Sequence, residues 1–190
     1  MSHLDQLLEN NKNYAAEQSA AGTLMPSLPA VMPRVKATII GCVDMRVDPA
    51  VILGTKPGEA AVIRNVGGRI TPELVEQLGM LGRIGQIAGV ARGGGEYHLI
   101  LMQHTDCGIT RLAGEPAMLK HFFHIEDGDA GEGTLAAKAV TDPRAAVAAD
   151  VALLRAVPTL PAAWIISGLV YDVATGLVEV VVPQAPMRPS

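Results

Sequence analysis

Apolar positions along this chain follow two periods. Over residues 2–21, the positions Leu4, Leu7, Leu8, Asn11, Tyr14 and Ala15 recur at spacings of three and four, which predicts a helix with a narrow apolar stripe. The stretch "GTLMPSLPAVMP" then breaks it. A proline-rich loop leaves the stripe without a neighbour in sequence, so the helix either lies across a second subunit or folds back on its own domain.

From Lys36 onward the period changes. "KATIIGCVD", "AAVIRNV", "YHLILMQH" and "AWIISGLVY" are short runs of Val, Ile and Leu with little polar alternation, the pattern of strands buried on both faces of a parallel sheet. Helical stretches separate them. "TPELVEQLGMLGRIGQIAGV" opens with Thr71 as N-cap and Pro72 at the first helical position, then places Leu74, Leu78 and Leu81 down one side. "DPRAAVAADVALLRAV" repeats the signal with Asp142 and Pro143. The closing "GLVYDVATGLVEVVVP" reads as a hairpin that adds an antiparallel edge strand. The expected fold is an open, mostly parallel α/β sheet flanked by helices. A domain over residues 36–190 follows a helical arm and linker over residues 1–35, and residues 113–140 show no regular pattern.

Composition narrows the partners. The 190 residues are 49% hydrophobic but 3% aromatic, so the core is aliphatic. A net charge of −4 with no Lys/Arg cluster argues against nucleic acid and against a polybasic membrane patch. No run approaches the roughly 18 apolar residues of a spanning helix, and the start lacks the order of a signal peptide. A small-molecule substrate and a cytoplasmic location are the expectations, with a homodimer or a multiple of one suggested by the detached helix.

Both cysteines stand at predicted strand ends. Cys42 lies in "GCVDMR" after the first strand, and Cys107 lies with His104 in "QHTDCG" after the third. Ligands of open α/β sheets bind beyond the carboxyl ends of strands, so these three side chains can converge there. Two thiolates and an imidazole suit zinc, and three protein ligands leave the fourth position of a catalytic site open.

With these motifs the chain resembles the short form of the β-class carbonic anhydrases. "CVDMR" matches that family's C-x-D-x-R, "HTDCG" its H-x-x-C-G, "VIRNVGG" its Asn-Ala-Gly region and "GLVYDVATG" its closing hairpin, with Val66 in place of the usual alanine. The resemblance implies zinc held by Cys42, His104 and Cys107, an α/β fold in a dimeric or higher assembly, and reversible hydration of CO2 to bicarbonate and a proton by zinc-bound hydroxide. Asp44 then has a task as acceptor beside the metal, and Arg46, whose planar fork matches a carboxylate, keeps Asp44 from taking the open position. An ordinary strand-end ion pair is the plainer reading of the two. Asn65, Gly67 and Gly68 are expected to shape the floor of the substrate pocket. Alternatives are a COS or CS2 hydrolase on the same scaffold, and a non-catalytic zinc-binding or bicarbonate-sensing protein.

Other motifs carry less. "RGGGE" precedes a strand and reads as a plain loop rather than a phosphate cradle. "DGDAGEG" has Lys138 where a calcium loop needs glutamate, and reads as a solvated loop. His121 and His124 read as surface histidines, and Asp106 stays outside the catalytic set.

Overall fold

The computed structural model describes residues 1–87 and 96–188; most of the "RGGGE" loop lies outside them. Helix α1 (His3–Ala21) is followed by the short α2 (Leu28–Val31). Then come β1 (Ala37–Cys42), α3 (Pro49–Leu53), β2 (Ala60–Asn65) and α4 (Pro72–Ile87). The second half holds β3 (His98–His104), α5 (Pro116–Phe123), α6 (Asp129–Ala137), α7 (Pro143–Arg155), β4 (Ile165–Tyr171) and β5 (Val178–Pro186). The five strands form one sheet in the order β2-β1-β3-β4-β5. The first four are parallel, and β5 returns antiparallel to β4. This is the expected α/β architecture with its C-terminal hairpin.

Strand order places the site. From β1 the chain goes to one side to form β2 and then to the other to form β3, so β1 and β3 flank the switch point at which open α/β sheets hold ligands. In the register Gly41 pairs with Met102, which puts Cys42 and His104 at adjacent carboxyl ends. Helices α4 and α7 cover the sheet through Leu74, Leu78, Val147, Val151 and Leu154, packed on Ile40, Leu99, Leu101 and Ile166. Helix α7 starts as its sequence dictates: Asp142 accepts from the N–H groups of Arg144 and Ala145, and Pro143 occupies the first turn.

Four expectations are corrected. β1 is buried almost throughout, but β4 alternates buried and half-buried positions and β2 is half-buried along most of its length, so the strands are not uniformly sandwiched. Leu81 is 39% exposed and outside the core, whereas Leu74 and Leu78 are inside it. The span 113–140 contains α5 and α6: Leu119 and Phe123, four apart, bury on the cluster around Cys42 and Cys107. "DGDAGEG" enters α6 instead of remaining a loop, and Asp127 and Glu132 pair with the amine of Lys120.

Helix α1 is capped by Ser2 and Asp5, which close a capping box. None of its residues is buried, and Leu4, Leu7, Leu8 and Tyr14 are 49 to 63% exposed. The chain's own described residues therefore do not cover the stripe.

Candidate metal centre

Cys42, at the end of β1, and His104, at the end of β3, meet Cys107 in the loop after β3, and all three are buried. Their donor atoms lie within 4.8 Å of one another, and both thiols are unbridged, with Sγ atoms 3.6 Å apart. Tetrahedral zinc with Zn–S bonds of about 2.3 Å would hold two sulfurs about 3.8 Å apart, so the spacing suits one ion. The imidazole is oriented for the same purpose. Nδ1 lies 2.9 Å from the carbonyl oxygen of Thr105, which can only accept, so Nδ1 carries the proton and Nε2 is left with a bare lone pair. Nε2 is buried and has no hydrogen-bond partner. A buried acceptor without a donor is costly, and a metal ion in this position would satisfy it.

The thiols act on each other. Cys42 is pulled well below the ordinary thiol range, first because the Cys107 thiol donates to it, with burial opposing, and then because the N–H groups of Asp44 and Gly67 favour the thiolate. Cys107 is pushed far up, first by that same bond and then by burial. One proton leaves the pair easily and the second is held, because two adjacent anions in a buried site repel unless a cation lies between them.

Asp44 borders this set, with Oδ2 3.9 Å from His104 Nε2. Arg46 grips both of its oxygens, Nε to Oδ1 at 3.0 Å and Nη2 to Oδ2 at 2.7 Å. That grip, ahead of the opposing effect of burial, holds the Asp44 carboxyl far below the usual carboxylate range. Asp106 does more than the sequence suggested: Arg46 Nη1 donates to its Oδ2 and Nη2 to its carbonyl oxygen, both at 2.9 Å, while Arg111 reaches Oδ1 at 3.1 Å. Asp106 adopts a left-handed backbone with φ +52°, a conformation that aspartate tolerates better than most residues. Its place between two ligands was the available signal.

Asn65, Gly67 and Gly68 lie against the end of β1 at Cys42. The Asn65 side chain closes a turn by bonding both the N–H and the carbonyl of Arg69, at 2.8 and 2.7 Å. Gly68 has φ +62°, and a Cβ on it would lie 2.9 Å from the carbonyl carbon of Gly41 and 3.0 Å from the nitrogen of Cys42, so only glycine lets this turn seat against β1. Gly67 lines a cavity of about 10 Å3 with Gln103, His104, Cys107 and Thr110, about the room of one water molecule.

Two supports were not legible in the sequence. Arg64 donates to the carbonyl oxygens of Cys42, Asp44 and Val47 at 2.7 to 2.9 Å and so staples the ligand loop. The buried carboxylate of Asp150 accepts from Arg69 Nε at 2.7 Å, Gln103 Nε2 at 3.1 Å and the N–H of Ile70 at 3.3 Å, bracing the residue before His104 against the glycine turn. His121 and His124 are not drawn into the metal set; His124 pairs with Glu73 on the surface, Nε2 to Oε1 at 2.5 Å.

Fold and site together define an α/β protein with a buried Cys2His set at a sheet switch point and an arginine-held carboxylate beside it. Residues 37–178 match the carbonic anhydrase family model, and the chain belongs to the β class of that family. It is 29% identical to beta-carbonic anhydrase 1 of Mycobacterium tuberculosis over 184 residues, 96% of this chain and all of that one. The crystal structure of carbonic anhydrase from Streptococcus mutans superposes with a TM-score of 0.67 at 31% identity, covering 95% of this chain and 98% of that chain. A carbon disulfide hydrolase of Saccharolobus solfataricus is 30% identical over 85 residues, 45% of this chain and 37% of that protein.

Proposed function

We propose that the protein is a zinc-dependent carbonic anhydrase that interconverts CO2 and water with bicarbonate and a proton. The observation that carries this reading is the buried Nε2 of His104, bare of any partner and converging with two unbridged thiols 3.6 Å apart. Cys42 and Cys107 would hold the ion through Sγ and His104 through Nε2. Zinc, when bound, lowers the pKa of water toward neutrality, to about 7 in three-histidine sites, so that a hydroxide nucleophile is available to CO2.

The chain's own residues direct that nucleophile. Asp44 is ionised throughout the neutral range, and a carboxylate oxygen that accepts from Arg46 keeps a second lone pair for another donor. It accepts the nucleophile's hydrogen and turns the remaining lone pair toward carbon. Arg46, itself anchored on Asp106, keeps Asp44 out of the fourth metal position. Asn65, Gly67 and Gly68 fix the turn against Cys42.

Support for a homodimer or a multiple of one comes from the uncovered stripe of α1, joined by Leu24, Met25 and Leu28, all more than half exposed. Residues 1–35 serve as the arm and residues 36–190 as the catalytic domain. No helix of the described residues is long and apolar enough to cross a membrane. The unbridged thiol pair suits a reducing compartment, the cytoplasm.

Stopped-flow CO2 hydration by protein of known metal content tests the reading, with COS and CS2 hydrolysis run beside it because a carbon disulfide hydrolase is among the relatives. Zinc at one equivalent with CO2 turnover is expected, and Cys107→Ser should lose metal and activity together. Turnover of CS2 without CO2 hydration would move the substrate to the related hydrolase.

A further inference from the structure

Away from the metal set, Ile70, Val75, Phe123, Leu153 and Lys138 border a cavity of about 350 Å3 between the start of α4 and the turn from α6 to α7. Its walls are mostly apolar, with Pro72 and the hydroxyl-bearing Thr71 completing them, and Lys138 is its one amine. The Lys138 Nζ lies 4.9 Å from the centroid of the Phe123 ring. Among the described residues no carboxylate pairs with it, whereas the other amine below the surface, that of Lys120, is held by Asp127 and Glu132. Lys12 pairs with Glu9, and Lys36 and Lys56 are exposed.

The neighbour of Lys138 is another cation. Arg69, fully buried, places its guanidinium 5.1 Å from the same Phe123 centroid, and its Nη2 donates to the Lys138 carbonyl oxygen at 2.6 Å. Asp150 balances the charge of Arg69 at 2.7 Å, yet Arg69 Nη1 remains buried without an acceptor. Burial pushes the Lys138 ammonium below the usual lysine range, Arg69 adds to this, and Asp150 opposes it. The turn that carries Lys138 includes Ala139 at φ +48°, a left-handed conformation that a residue with a Cβ adopts at a steric cost. The amine is thus half-buried against the Phe123 ring, with no carboxylate paired to it among the described residues.

We propose that Lys138 Nζ is a carbamylation site, at which dissolved CO2 bonds reversibly to the neutral amine within this apolar cavity. The nitrogen lone pair attacks carbon and a C–N bond forms. One C=O π pair moves onto oxygen, and one N–H proton leaves to solvent. Nothing is oxidised or reduced, and the product is a carbamate of charge −1. The change puts an anion with acceptor oxygens in place of an amine, on the Phe123 ring that the Arg69 guanidinium also overlies. A linear three-atom molecule without charge enters such a cavity at little desolvation cost. The inference rests on the preceding reading in taking CO2 as the molecule the protein handles, but the adduct draws on dissolved CO2 directly. Through the Lys138 carbonyl, Arg69, Asp150 and Gln103, the modified turn connects to His104.

The test equilibrates the zinc-loaded protein with carbon-13-labelled CO2 and bicarbonate at mildly alkaline pH. Carbamates are fixed by alkylation with a trialkyloxonium salt and located by peptide mass spectrometry. Lys138 should carry several-fold more adduct than the exposed Lys36 and Lys56. Lys138→Arg, which keeps the charge but cannot be modified, should remove that adduct while carbamate on the α-amino group, the internal reference, persists. An unmodified Lys138 beside a modified amino terminus, or adduct at Lys138 no greater than at Lys36 and Lys56, overturns the proposal. Adduct at Lys138 in a protein that fails to hydrate CO2 would leave this site standing and sink the proposed activity; CO2 hydration with Lys138 unmodified would do the reverse.

Discussion

Arg46 divides its donors between two carboxylates from different strand ends, Asp44 after β1 and Asp106 after β3, so one side chain ties the two ligand loops together. Removing it should free Asp44 to reach the metal position. For Arg46→Ala we expect zinc content to persist while CO2 hydration falls on the order of 10- to 100-fold, the usual scale for a group that orients a metal site. X-ray absorption should then report an additional oxygen ligand from protein; full activity with unchanged coordination would remove the gate. Asp44→Asn tests the same pair through pH. Because the folded-state pKa of Asp44 is depressed, the link to Arg46 is fully formed above the ordinary carboxylate value of about 3.9 and is lost only as pH falls through the lower folded value. Asp44 therefore does not titrate near neutrality. The variant should lower the plateau of the pH–rate profile without moving its midpoint, and a displaced midpoint would contradict this role.

At the scale of elements, helix α1 satisfies every local rule and still buries nothing. It has a capping box at Ser2 and Asp5 and a left-handed glycine cap at Gly22, yet its leucines face solvent. Local signals dictate that a helix forms but not what it packs against. If it lies across a second copy, deleting residues 1–21 should convert the oligomer to monomer, or to a species that aggregates through the surface it had covered, in sedimentation velocity. Unchanged mass would show that α1 is not part of the interface. The α5–α6 segment makes the complementary point. Met118, Leu119, Phe122 and Phe123 do stand at helical spacing, but over a helix of only 8 residues, and the segment folds because Leu119 and Phe123 bury against the cluster that includes both cysteines.

For the whole molecule, the site is a place where folding leaves polar atoms unsatisfied: the bare His104 Nε2 and two sulfurs that cannot both be anionic alone. A metal ion bound there, as proposed, would add to the stability of the fold. Free zinc at about a thousand times its Kd stabilises by roughly 4 kcal/mol, and a chain of this length gains about 2–4 °C per kcal/mol. Stripping the metal should lower Tm by roughly 10 °C, with readdition of zinc restoring it and releasing at least one proton per site, since the pair retains a proton when empty. Calorimetry in buffers of different ionisation enthalpy reads both; an unchanged Tm would deny the ion a structural share.

The sequence by itself determined most of the elements and pointed to the candidate metal-binding set. Val- and Ile-rich runs of strand length, proline and aspartate at helix starts, and cysteines and a histidine at the ends of two strands are local facts, written in consecutive residues. The resemblance of "CVDMR" and "HTDCG" to the β-class family rested on them. What only the tertiary structure decided is which distant residues complete the site. Arg64 staples the Cys42 loop and Asp150 braces Gln103 because the order β2-β1-β3-β4-β5 brings those elements into contact. Asp106 is recruited because Arg46 reaches across the gap between two strands. None of these pairings has a period or spacing in sequence, since a buried polar group takes whatever partner the packed chain sets within about 3 Å of it.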